Sequence, residues 1–96
     1  MGAQMMDRSP SFRRGGPAAL FGFMVDGPNA AVTMTVRHRD LDDDVWTAAG
    51  SMSLPGPGEA SFKISDLKEE LSITLAAEPG RGPANVVVVP PQWLPC

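Results

Sequence analysis

The sequence predicts an all-β fold, a small antiparallel β-sandwich, with a small β-barrel as the alternative. Three observations predict it. Apolar and polar residues alternate in short segments: Val32, Met34 and Val36 against Thr33, Thr35 and Arg37, then Leu71, Ile73 and Leu75 against Ser72 and Thr74. A period of two sends successive side chains to opposite faces of an extended chain, so each segment has one face for a core. Ten glycines and ten prolines punctuate these segments, about a fifth of the chain against roughly 12% in average usage. Finally, 96 residues make one domain, which hides roughly two-thirds of its unfolded surface and leaves little core for a deep ligand cavity.

Residues 1–17 hold Gly2, Pro10, Gly15, Gly16, Pro17 and three arginines without sustained periodicity, and read as an extended N-terminal arm. Met5, Met6 and Phe12 are its apolar points. The β-domain is expected over 18–90. Its first strand, Ala18 to Val25, is apolar on both faces, as for a strand between layers or against another subunit. Asp26-Gly27-Pro28-Asn29 turns the chain into a strand from Ala31 to Arg39, with Val32, Met34, Val36 and His38 on one face. A polar connection, Asp40 to Asp44, leads to a third strand, Val45 to Leu54, where Trp46, Ala48, Met52 and Leu54 share a face. The short connection makes these two strands hairpin partners.

Pro55-Gly56-Pro57-Gly58 ends that strand by removing two ladder donors. The next, Glu59 to Ser65, sends Ala60, Phe62 and Ile64 inward. Asp66 to Glu70 is expected to form a helical turn capped by Ser65 or Asp66, followed by a strand from Leu71 to Ala77. A loop over 78–84 precedes Asn85 to Val89. The four valines 86–89 are apolar at both parities and fit a central or covered strand; on an open edge they would invite aggregation. Residues 91–96, Pro-Gln-Trp-Leu-Pro-Cys, read as an extended Pro-rich C-terminal tail that cannot continue a ladder.

Six or seven short strands in such a chain resemble, in pattern only, the immunoglobulin-like sandwiches. The Cys, Trp and Cys spacing of true immunoglobulin domains is missing, so the resemblance transfers no function.

The inventory for chemistry is sparse. His38 is the single histidine and stands between Arg37 and Arg39, which disfavours its charged form. Ser51, His38 and Asp44 could be named as a triad, but no nucleophile-elbow pattern supports it. Asp40, Asp42, Asp43 and Asp44 form the strongest cluster; they lack the glycine and distant glutamate of an EF-hand and read as an acidic turn. Gly80-Arg81-Gly82 and Gly56-Pro57-Gly58 have no phosphate-loop lysine. The six methionines show no soft-ligand array for copper and serve packing. The one cysteine, Cys96, excludes an intrachain disulfide. No metal, cofactor or catalytic residue is assigned.

A net charge of −3 gives no general attraction to nucleic acid, and three arginines in the arm are too few to change that. The longest apolar run, Ala18 to Val25, is too short for a helical membrane span. Arg13 and Arg14 before it give a crude outline of an export signal, which Asp26 and Pro28 interrupt. A cytoplasmic or virion setting is favoured over export.

The expected function is therefore that of a non-enzymatic structural module, such as a virion decoration protein or an accessory subunit. Its partners would be protein subunits of a larger assembly, copies of itself included. Phe12, Arg13, Arg14, Trp93 and Leu94 are the expected partner contacts, since aromatic and arginine side chains dominate interface energetics. The alternative is an exported binding domain that recognises a ligand or calcium through the acidic loop 40–44.

Overall fold

The structure, a computed structural model, describes residues 11–95. Met5, Met6 and Cys96, named above, and Arg8, the first of the three arginines of residues 1–17, lie outside the described residues. Seven strands follow in order: β1 (Ser11–Arg13), β2 (Ala18–Asp26), β3 (Val32–Arg39), β4 (Thr47–Leu54), β5 (Gly58–Ile64), β6 (Glu70–Ala77) and β7 (Asn85–Leu94). They form a four-stranded sheet of order β1-β6-β3-β4 and a three-stranded sheet of order β5-β2-β7. All pairings are antiparallel. The two sheets pack together as a sandwich, and no closed barrel is formed.

The four-plus-three division is that of a seven-stranded immunoglobulin domain, but the order is different. In the immunoglobulin fold the first sheet joins strands one, two, five and four; here β6 and β3 take the middle places beside β1. The likeness remains one of architecture.

The alternation read from the sequence builds the core. Val32, Met34 and Val36 of β3 are buried beside Leu71 of β6 in the same sheet; Ala19, Phe21, Phe23 and Val25 of β2 and Ile64 of β5 face them from the other sheet, and Leu67 enters the core from the loop before β6. Phe21 and Phe23 are fully covered, each contributing about 1.5–3 kcal/mol through apolar area removed from water. The expected hairpin is present, with Met34 opposite Met52 and Thr35 opposite Ser51. The apolar run 18–25 is the central strand of its sheet, and core formation accounts for its buried residues Ala18, Ala19, Phe21, Phe23 and Val25 but not for Leu20 and Met24, which are exposed.

Four element-level expectations are corrected. First, the stretch expected as an extended arm contributes β1, whose Ser11 to Arg13 pair with Ser72 to Glu70; Pro17 and Arg14 also bond the loop before β6. Second, the tail does continue a ladder. β7 runs to Leu94, with Gln92, Trp93 and Leu94 opposite Leu20, Ala19 and Ala18. Pro90 and Pro91 fall where the register shifts between Leu20 and Gly22, on an edge strand, the two settings in which a missing N–H is tolerated. The boundaries at 17/18 and 90/91 thus fall inside the folded body. Third, β7 is an edge strand and not a central one.

Fourth, no helical turn forms at 66–70. Asp66 adopts φ 58°, in the left-handed region. Leu67 N–H donates to the Pro17 carbonyl at 3.0 Å, and the Leu67 carbonyl accepts from Arg14 Nη1. Bonds to the arm replace those of a helical turn, and Leu67 is driven into the core at 2% exposure.

Candidate interaction surface

The chemically distinctive residues divide between the two outer faces of the sandwich. Residues directly opposite across an antiparallel pair share a face, so register assigns them. The four-stranded sheet presents Arg13, Thr33, Thr35, Arg37, Arg39, Ser51, Ser53, Glu70, Ser72 and Thr74 outward. This face is satisfied internally. Thr33 Oγ1 and Ser53 Oγ lie 2.7 Å apart. Glu70 accepts from Ser11 Oγ at 2.7 Å and from Arg39 Nε at 2.8 Å, and both bonds hold its carboxyl below its ordinary pKa.

Trp46 joins this polar face. The sequence reading put Trp46 and Ala48 with Met52 and Leu54, but β4 shifts register between the partners of Val36 and Arg37, so that Gly50 faces Val36 while Ala48 faces Arg37. One extra residue reverses the phase of the alternation. The Arg39 guanidinium lies 4.6 Å from the Trp46 ring centroid, a cation–π contact.

His38 sits on the inner side of β3 opposite Leu71, and its Nδ1 accepts a hydrogen bond from Lys68 N–H at 3.1 Å. Its pKa is lowered, first by burial and second by the Lys68 charge, with Asp40 opposing. The direction agrees with the sequence reading. The cause does not, because Arg37 and Arg39 belong to the opposite face. Ser51 faces Thr35, three residues along β3 from His38 and so about 10 Å away, which separates the nominal triad.

The loop 40–44 is closed by local bonds: Asp43 N–H donates to the Asp40 backbone carbonyl, and Val45 N–H donates to the Asp43 carboxylate at Oδ1. Among the described residues no three Asp, Glu, His or Cys side chains gather where they could hold a metal ion, so the geometry lends the calcium alternative nothing. No helix among them is long and apolar enough to cross a membrane.

The expected contact residues are mostly engaged with their own chain. Phe12 meets Trp93 edge to face, with centroids 6.3 Å apart and planes at 65°, and both pack against the core. The indole lies so close over Gly15 that a Cβ there would come within 2.7 Å of it. Leu94 is half-buried beside Gly16, Arg14 is tied to Leu67, and Arg13 is exposed opposite Glu70. Phe12 and Trp93 are thus brought together as a clasp between β1 and β7.

A surface the sequence reading did not assign lies on the outside of the three-stranded sheet. Leu20 and Met24 of β2 and Val87 and Val89 of β7 are exposed at 36%, 41%, 55% and 41%. On the other flank β5 carries exposed Glu59, Ser61 and Lys63. Gly22 adds no side chain between Leu20 and Met24, leaving a shallow groove of about 350 Å³ bordered by Leu20, Met24, Glu59, Ser61 and Val89. The available signal was apolar residues at both parities of 18–25 and 86–89; joining them needed the pairing of β2 with β7.

No family model, curated protein or solved structure matches the chain.

Proposed function

We propose that this protein is a non-enzymatic assembly module that binds protein subunits through the outer face of the β5-β2-β7 sheet. One observation carries the reading. Of the six exposed large apolar side chains among the described residues, Leu20, Met24, Val87 and Val89 lie on this single face, while the outer face of the other sheet is hydroxylated and charged. A contiguous apolar patch with a polar rim is the usual mark of a protein contact site.

The groove is open and shallow, and among the described residues the Ser61 hydroxyl and Glu59 carboxylate at its border form no hydrogen bond with each other or with a histidine, which favours binding over catalysis. The surface moves from the termini, where Phe12, Trp93 and Leu94 are occupied by the chain itself, to the sheet. A decoration protein of a virion or an accessory subunit of a multiprotein complex would use such a face. The test is native mass measurement of the protein purified from its source, alongside Met24→Glu. Retained protein subunits that the variant loses support the reading; a variant with an unchanged set of bound subunits overturns it.

A further inference from the structure

We propose that the occupant of this face is a second copy of the chain, packed sheet on sheet about a two-fold axis that crosses β2 at Gly22. The proposal rests on the protein-docking function above and names its partner. Across β2 and β5, Leu20 stands beside Lys63, Gly22 beside Ser61 and Met24 beside Glu59. Across β2 and β7, Gly22 stands beside Val89, Met24 beside Val87 and Leu20 beside Gln92. The opposite charges of Glu59 and Lys63 therefore stand at equal distances on either side of Gly22, while Val87 and Gln92 occupy the two corresponding places on β7.

A two-fold axis between stacked sheets can run along the strands or across them. Along the strands it would lay the Glu59–Lys63 row over the valines of the second copy, burying charges without partners, which is costly. Across the strands at Gly22, each row meets itself reversed. Leu20 then lies over Met24 of the second copy, Val89 over Val89, Ser61 over Ser61, Lys63 over Glu59 and Val87 over Gln92, each unlike pair occurring twice by symmetry. Such an isologous contact is the commonest route to a homodimer, and the sheets would keep the near-aligned strand directions of packed sheets.

Glu59 and Lys63 are both exposed and neither forms an ion pair among the described residues, so their charges are available to a second copy. Gly22 fits the axis, because a Cβ would approach the Ala60 carbonyl at 3.2 Å and fill the centre of the groove. The three strands, about 4.8 Å apart and rising about 3.3 Å per residue, offer a footprint smaller than that of a standard interface. The dimer is accordingly a concentration-dependent one.

Sedimentation equilibrium of the full chain up to millimolar concentration tests this directly. The wild type is expected to show a monomer–dimer equilibrium. Lys63→Glu and Glu59→Lys should each weaken it about tenfold, since symmetry makes every reversal count twice. The double reversal, Glu59→Lys with Lys63→Glu, should restore it to within about threefold, with melting curves showing all three variants folded. A wild type monomeric throughout, or a double reversal no better than the singles, overturns the two-fold pairing. If that happens while Met24→Glu still removes other subunits from the source complex, only the second copy is refuted; if Met24→Glu removes nothing, the docking face falls too.

Discussion

Replacing Trp93 with alanine separates a clasp within the chain from an anchor waiting for another protein. The indole packs against Phe12 and lies over Gly15, so its removal uncovers on the order of 100 Å² of apolar surface, worth about 2.5 kcal/mol. The edge-to-face pair adds about 0.5–1.5 kcal/mol. Together these place Trp93→Ala at about 3–4 kcal/mol, within the range of buried tryptophan truncations and a large share of the roughly 5–15 kcal/mol that holds an ordinary domain. Urea unfolding followed by the fluorescence of Trp46 reads it, with an unchanged m-value and a midpoint lowered by roughly 2 M. Phe12→Ala and the double variant complete a cycle whose coupling is expected at about 0.5–1.5 kcal/mol. A loss below about 0.5 kcal/mol with no coupling would refute the clasp and return Trp93 to the role of a free contact.

Further outcomes follow from particular residues. Gly15→Ala places a methyl group against the indole and is expected to lose about 1–3 kcal/mol as an overpacked site, while Trp93→Ala should relieve that loss in the double variant; equilibrium unfolding checks both. Gly27→Ala combines φ +137° with a Cβ 2.6 Å from the Pro83 carbonyl, so it should destabilise by more than the roughly 0.4–1 kcal/mol that such a change gains at an unstrained position, read as a fall in Tm. The folded His38 has a lowered pKa, so the unfolded chain takes up its proton first as pH falls. Stability from this residue is fully present above the ordinary histidine value of 6.5 and declines below it until the folded value is passed. Glu70, also lowered, acts in the acid range: its contribution is present above the ordinary carboxylate value and is lost as pH falls through the folded value. His38→Gln should flatten the first limb of the stability–pH curve and Glu70→Gln the second; parallel curves for wild type and variants would contradict both assignments.

Much of the fold was legible because alternation is a local property. Val32-Met34-Val36 and Leu71-Ile73-Leu75 declare an inner face wherever their strands lie, and Pro55 to Gly58 declares an end. Three-residue β1 gave no such signal, since Ser11 to Arg13 become a strand through pairing with β6. Pro90 and Pro91 pointed to a stop, and only a register shift on an edge strand accommodates them. Trp46 was assigned to the wrong face because a one-residue shift in β4 reverses the parity of everything before it, and parity is all that a sequence pattern supplies.

The pairing of Phe12 with Trp93 was hidden for a related reason. Isolated aromatic side chains in terminal segments have the same appearance in sequence whether they meet another protein or each other; the proximity of Phe12 and Trp93, 81 positions apart, belongs to the assembled sandwich. The sequence by itself determined the all-β class, the placement of most strands and the core face of each, because side-chain polarity along an extended chain acts over neighbouring residues. Tertiary structure alone decided the order of the strands, the clasp of the two ends and the gathering of Leu20, Met24, Val87 and Val89 on one surface. Those depend on backbone hydrogen bonds between distant segments, whose energy depends little on side-chain identity and so leaves few traces in the sequence.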